Sequence, residues 1–272
     1  MNEPQSFWEH LDELRNSLIR MIIAVVFCAI VAFCLKDAVF DIILAPHDSV
    51  FVTYRILARI GKLLHADTQE LMSPISVTLI NTGLAQQFLL HVKTSFYVGL
   101  MLASPYIIYL LFRFVSPALY HRERHYALQI VFSGYVMFLC GILLGYFLIF
   151  PLTFRFLGMY QVSDVVENTV TLDSYIDTML MTSLSMGIVF EIPVLCWIMG
   201  RMGIISAEMM RSYRRHVVVT LLVLAAIITP TSDVFTLMLV SLPMWLLYED
   251  SCPNLSQKRS SSTVYLYLVT RN

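Results

Sequence analysis

Charged residues are scarce in this sequence. Asp, Glu, Lys and Arg make up 14% of the 272 residues, 58% are hydrophobic, and mean hydropathy is +0.72. Soluble proteins carry about 25% charged residues, so this balance excludes an ordinary soluble domain and indicates a polytopic membrane protein. The formal net charge is −1, so no overall basic field points to a nucleic-acid partner.

The motifs of catalytic and metal-binding chemistry are missing as well. The five cysteines show no C-x-x-C pair, and we interpret them as small hydrophobic residues rather than disulfides or metal ligands. His121 and His125 are spaced i, i+4, but Glu123 does not occupy the glutamate position of H-E-x-x-H. Neither G-x-S-x-G nor the nucleotide loop G-x-x-x-x-G-K-[ST] occurs. The sequence therefore predicts no enzyme, no metal and no cofactor.

Long apolar runs are what the chain does have. A spanning helix needs roughly 20 apolar residues, and four runs approach or exceed this length, at residues 18–35, 89–114, 126–150 and 179–199. Two shorter runs, 217–228 and 234–248, contain twelve and fifteen residues. They reach only ~18 and ~22 Å, less than the ~30 Å hydrocarbon core. We predict an all-α fold with six transmembrane helices, of which the last two are short.

The polar segments set the predicted boundaries and orientation. Pro151 is expected to end the third span, residues 155–177 to form a loop, and residues 250–272 to form a divergent cytoplasmic tail after a single membrane domain of residues 1–249. No small-residue cleavage site follows the first run, so the first span is expected to be retained. Positive charge lies in the N-terminal helix and around residues 122–124 and 211–215, which predicts that both termini are cytoplasmic.

One carboxylate interrupts the fourth apolar run. Glu191 lies inside it and Pro193 follows two residues later. An ionisable group at bilayer depth costs at least ~2.5 kcal/mol and marks a functional site by default. Pro193 has no N–H for the carbonyl of Val189, so the helix should weaken beside the acid. The alternative is a protonated Glu191 that only packs against a neighbouring helix.

Four motifs in register suggest a family. They are His10-Leu11-Asp12-Glu13-Leu14-Arg15, Phe114-Val115-Ser116-Pro117-Ala118-Leu119-Tyr120 followed by Glu123-Arg124, Phe190-Glu191-Ile192-Pro193, and Thr229-Pro230 with Asp233. Together they resemble the TatC family, the receptor subunit of the twin-arginine protein translocase, over roughly residues 6–249. The resemblance implies a bacterial inner-membrane receptor that binds the signal peptides of folded precursors. It also implies assembly with single-span TatA- and TatB-type partners, homo-oligomers within the complex, and transport driven by the proton-motive force.

The resemblance also implies a signal-peptide site on the cytoplasmic side. Glu13 and Glu123 would bind the two arginines of the signal, because the guanidinium fork makes parallel charge-assisted hydrogen bonds to carboxylates that lysine cannot reproduce. Five further residues are implied, three lining an apolar patch and two orienting the acids: Phe114, Leu119, Tyr120, Arg15 and Arg124. The alternative for Glu123 is a solvated turn balanced by neighbouring arginines.

The remaining implied sites lie in the membrane and at its outer side. Glu191 and Pro193 would meet an inserted signal peptide or a partner helix, and Thr229 and Asp233 would contact a partner subunit. Leu237 stands where the family often has glutamine, which weakens the case for that partner contact.

Two alternative functions belong to other classes of membrane protein. An ion-coupled carrier could use Glu191 and Lys93 as a proton relay, but the two halves of the chain show none of the corresponding broken helices that carriers commonly have. A purely structural scaffold is a further alternative, and in such a scaffold each of the acids at positions 13, 123, 191 and 233 could be neutralised singly.

Overall fold

The structure is a computed structural model that describes residues 7–48, 51–63, 77–115, 127–160, 169–201, 209, 212–229 and 234–249. Most of this part of the chain is helical. The helices are α1 (Phe7–Cys34), α2 (Lys36–Leu44), α3 (Val52–Leu63), α4 (Gln86–Val115), α5 (Ala127–Leu144), α6 (Phe150–Met159), α7 (Leu172–Phe190), α8 (Ile192–Arg201), α9 (Arg214–Ile228) and α10 (Val234–Glu249).

The prediction of an all-α fold needs one addition. Strands β1 (Thr78–Ile80) and β2 (Thr169–Thr171) pair in parallel, with Thr78 opposite Thr169. Both strands are three residues long and contain β-branched residues, which favour a pleated conformation.

Four helical stretches are long and apolar enough to cross a membrane. They are Leu11–Cys34, Gln86–Phe114, Val131–Met159 and Leu172–Met199. These stretches contain most of the four long runs in the sequence, so the structure agrees with a multi-pass membrane protein. The fifteen-residue α9 and the short apolar helix α10 coincide with the two shorter runs. That those two cross the membrane stays a prediction.

The third long helix does not end at Pro151, so that prediction is wrong. After α5 the chain forms a π-helical segment, Gly145–Ile149, and continues into α6. Pro151 has no N–H to donate, and the hydroxyl of Thr53 donates instead to the carbonyl oxygen of Phe147, four residues before the proline. The helix continues because a donor from a distant part of the chain replaces the missing one.

The predicted loop over residues 155–177 is wrong at both ends, since α6 runs to Met159 and α7 begins at Leu172. Arg155, whose charge indicated a loop, is only 5% exposed, and its guanidinium carbon lies 5.2 Å from the ring centroid of Tyr54. At the start of α7, Asp177 pairs with Lys93. Charged residues lie within these helices because each has an aromatic or oppositely charged neighbour.

The contacts of the chain divide it into two compact units, one within residues 1–17, 107–140 and 187–272, the other within residues 18–106 and 141–186. The second unit contains a buried apolar cluster, formed by Ile43, Val77, Leu90, Phe150, Phe154, Tyr175, Ile176, Met179 and Leu180. In the same unit α1 and α4 meet closely at Gly99, where an added Cβ would lie 2.6 Å from backbone atoms of Ala29. In the first unit, Phe112 of α4 packs with Ile198 of α8.

Candidate functional site

Glu13 lies on α1, the helix that contains the first apolar run. Its side chain is partly buried, and it makes no hydrogen bond or ion pair with any residue that the structure describes. Arg15, expected to orient the acids, pairs instead with Asp12, at 3.3 Å between Nη2 and Oδ1. Both side chains of that pair are about two-thirds exposed (68% and 67%), so the pair contributes little stability. Among the described residues, the neighbouring arginine is therefore engaged with Asp12 and not with Glu13.

The second half of the implied signal-peptide site lies outside the described residues. This applies to Leu119, Tyr120, Glu123 and Arg124. Phe114 is described, one residue before the end of α4, and its side chain is partly exposed. Two residues earlier, Phe112 is buried against α8 with Val131, Val194 and Trp197 close by. This packing fixes the end of the helix from which the implied patch begins.

The helix break at Glu191 is confirmed. α7 ends at Phe190 and α8 begins at Ile192. The N–H of Glu191 donates to the carbonyl oxygen of Ile188, three residues back, at 3.1 Å, and the N–H of Leu195 donates to the carbonyl oxygen of Glu191 at 2.9 Å. Pro193 cannot donate to the carbonyl of Val189, which is the physical reason for a turn at this position.

One oxygen of the Glu191 carboxyl group is buried without a partner in the described part of the chain. Its side chain is partly buried, and Oε1 is fully buried with no hydrogen-bond partner among the described residues. Oε2 faces α5, where a Cβ added at Gly134 would lie 3.2 Å away. A buried polar atom without a partner is unfavourable, so this acid costs the described part of the fold stability.

Gly134 is the site residue that the motifs do not indicate. The sequence offers only a weak signal for it, a small residue inside an apolar helix, which is typical of close helix contacts in membranes. Hydropathy does not reveal which residue such a glycine faces. Only the structure places it against a carboxyl group.

At the end of α9, Thr229 has a local role. Its side chain is buried, and both its hydroxyl and its backbone N–H donate to the carbonyl oxygen of Ala225, each at 2.9 Å. These bonds satisfy a carbonyl that the helix end leaves without a partner. Asp233 lies outside the described residues, so the partner contact implied for this pair stays a prediction.

Lys93, the other member of the relay in the carrier hypothesis, has local partners in its own unit. Its Nζ lies 2.5 Å from Oδ1 of Asp177 and 3.9 Å from Oδ1 of Asp173. An ammonium group between two carboxylates is stabilised as a structural ion pair, which explains this lysine without a transport role. Within the described residues, no group of three or more His, Cys, Asp and Glu is placed to hold a metal ion.

Comparison with known proteins identifies the family. Residues 9–243 match the family model described as Sec-independent protein translocase protein (TatC). The TatC of Blattabacterium sp. subsp. Periplaneta americana is 34% identical over 247 residues, which cover 90% of this chain and 92% of that one. The TatC of Aquifex aeolicus is 32% identical over 244 residues, covering 89% and 91%.

A solved structure supports the same family assignment. The crystal structure of the twin-arginine translocase receptor TatC superposes with a TM-score of 0.73 at 31% identity, covering 93% of this chain and all of that one (100%). The resemblance seen in the four motifs is therefore confirmed along nearly the whole chain, and the chain belongs to the TatC family of Sec-independent protein translocase proteins.

Proposed function

We propose that this protein is the core receptor subunit of a twin-arginine translocase in a bacterial inner membrane. It binds the twin-arginine signal peptides of folded precursor proteins and then assembles TatA- and TatB-type single-span subunits for export driven by the proton-motive force. Six helices cross the bilayer, both termini are cytoplasmic, and several copies act together in the complex. The observation that carries the proposal is the match to a twin-arginine translocase receptor over 93% of this chain.

In this proposal Glu13 and Glu123 bind the two arginines of the signal. The unpaired state of Glu13 among the described residues supports its part, because Arg15 is engaged with Asp12 and does not neutralise it. A guanidinium would make two parallel hydrogen bonds to such a carboxylate, whereas an ammonium makes a point contact. The apolar part of the signal peptide contacts Phe114, Leu119 and Tyr120. The positive charge of Arg124 compensates the charge of the two acids when no signal peptide is bound.

The test is a binding titration with the purified protein in nanodiscs, comparing Arg-Arg with Lys-Lys signal peptides. Glu13→Gln and Glu123→Gln should each lower the preference for Arg-Arg by roughly 10- to 100-fold, since a hydrogen bond to a charged group contributes about 1.5–3 kcal/mol. Asp12→Asn is the matched control, because it neutralises the adjacent acid that already has a partner. An unchanged preference in both glutamate variants would sink the assignment.

Glu191 has a separate task, as the polar group that an inserted signal peptide or partner helix meets inside the membrane. Its buried Oε1, which has no hydrogen-bond partner among the described residues, supports this. Glu191→Ala should reduce export of a folded precursor while surface binding of the signal peptide remains intact. Loss of surface binding in this variant would refute the division between the two sites.

The carrier hypothesis makes the opposite prediction for the same preparations. A carrier would bind neither peptide, and proton flux would depend on Glu191 and Lys93. A strong preference for Arg-Arg peptides in the wild-type protein would leave that hypothesis without support.

A further inference from the structure

The packing around Gly134 concerns the intramembrane acid directly. Gly134 is buried on α5, and a Cβ added there would lie 3.2 Å from Oε2 and 3.6 Å from Oε1 of Glu191. The same Cβ would lie 3.3 Å from Cγ2 of Ile108 on α4. Carbon atoms in contact prefer about 3.5–4.0 Å, so any side chain at position 134 would press on the carboxyl group and on Ile108 together.

Packing against α5 surrounds the carboxyl group in this place. Oε1 has no hydrogen-bond partner among the described residues, and the backbone at Glu191 turns between α7 and α8. If hydrogen bonds fixed a carboxyl group, they would hold it in place when a methyl group is added beside it. Oε1 of Glu191 has no such anchor among the described residues, so the surface of α5 helps to decide where the carboxyl group lies.

We propose that Gly134 is the positioning residue of Glu191. By presenting no side chain, it admits the carboxyl group against α5 and holds it ready for a hydrogen-bonding side chain on an inserted apolar helix. That last step rests on the proposed function of Glu191, whereas the positioning itself does not. The partner chemistry follows from the site, because an unpaired carboxyl in an apolar region favours a helix that carries a serine, threonine, asparagine or glutamine.

Labelling with dicyclohexylcarbodiimide tests the positioning without any export assay. This apolar reagent enters membranes and converts protonated carboxyl groups into N-acylureas, which mass spectrometry assigns to single residues. In the full chain in nanodiscs, Gly134→Ala should change the labelling rate of Glu191 by roughly 2- to 10-fold, corresponding to an off-rotamer cost of about 0.5–1.5 kcal/mol. Ser133→Ala is the matched control, because Ser133 is the exposed neighbour on the same helix.

Two labelling results would overturn the proposal. One is an unchanged rate at Glu191 in folded Gly134→Ala protein, and the other is an equal change in Ser133→Ala, which would show that any substitution on α5 has this effect. If Gly134→Ala does not fold, Gly134→Ala/Ile108→Ala removes the second contact and keeps the methyl group against the carboxyl group. The altered rate is expected in that variant too, and an unaltered rate contradicts the proposal.

An export assay then distinguishes the positioning of Glu191 by Gly134 from the function of Glu191 in transport. Gly134→Ala should lower export in the wild-type background, and the loss should be smaller in a Glu191→Asp background, because aspartate is one methylene shorter and withdraws from the added methyl group. An equal loss in both backgrounds, without any change in labelling, would mean that Gly134 acts only through packing against Ile108. Altered labelling with normal export would keep the positioning and refute the proposed role of Glu191.

Discussion

The hydroxyl of Thr53 should stabilise the third long helix at its proline. Thr53 is 5% exposed, and its Oγ1 donates to the carbonyl oxygen of Phe147, the group that an N–H at position 151 would reach in a regular α-helix. Thr53→Val keeps the shape of the side chain and removes the donor. A fully buried carbonyl left without a partner costs about 1–3 kcal/mol. This bond is part-buried, so we expect the free energy of unfolding to fall by about 1 kcal/mol, the lower end of that range.

The assay is reversible unfolding of the purified protein in mixed detergent micelles, with a matched control from α7. The hydroxyl of Thr178 donates to the carbonyl oxygen of Ser174 at 2.7 Å, but residue 178 has its own backbone N–H for that carbonyl. Thr178→Val should therefore change stability much less than Thr53→Val.

A double-mutant cycle makes the reasoning refutable. Pro151→Ala restores a backbone N–H, so Thr53→Val should cost less in that background, by an interaction energy of about 0.5 kcal/mol or more. If the two substitutions add, or if Thr178→Val costs as much as Thr53→Val, the hydroxyl of Thr53 does not compensate for the proline.

Two further expectations concern groups of the second unit. Burial raises the pKa of Tyr54 from 10.0 to about 12, and the Arg155 guanidinium partly opposes this shift. The folded state therefore favours the protonated phenol. This contribution to stability is complete below pH 10 and should be lost as the pH rises towards about 12. Tyr54→Phe should flatten the alkaline fall of the unfolding midpoint over that window, and an equally steep fall in both proteins would exclude Tyr54 as its cause. Lys93→Met and Asp177→Asn should each lower stability by about 0.5–1 kcal/mol, because the pair is partly exposed. The double variant should lose less than the sum of the two, and strict additivity would show that the pair is not coupled.

Hydropathy and proline chemistry were enough to predict much of the membrane part. A run of about 20 apolar residues has few alternatives to a spanning helix, so the cores of the four long helices follow from composition. The break beside Glu191 follows from the missing N–H of Pro193. Both arguments use only neighbours along the chain, which is why they succeed.

The wrong predictions at Pro151 and Arg155 arise from contacts between distant parts of the sequence. Pro151 and Arg155 look like the end of a helix to any local rule, yet the helix continues because Thr53 and Tyr54, about a hundred residues earlier in the sequence, supply a hydrogen-bond donor and an aromatic face. The place of Gly134 against Glu191 is likewise a packing fact between separate helices. Local patterns cannot predict such contacts, since the same residues could face lipid.

The intramembrane prolines of this chain have two different settings. At Pro105 the hydroxyl of Ser104 donates to the carbonyl oxygen of Met101, four residues before the proline, at 2.7 Å, and at Pro151 a threonine does the same for the equivalent carbonyl. At both prolines the helix continues, and the carbonyl that lost its N–H donor is satisfied from within the protein, because a bilayer core offers no water.

The break at Glu191 adds an acid instead, and one of its buried oxygens has no partner among the described residues. Replacing a buried unpaired polar group by an apolar one of similar size is neutral or stabilising, so Glu191→Leu should keep or raise the unfolding midpoint while it lowers export. A lower midpoint with normal export would show that the acid serves the fold. The expected result would show that the fold does not need this acid, whereas export does.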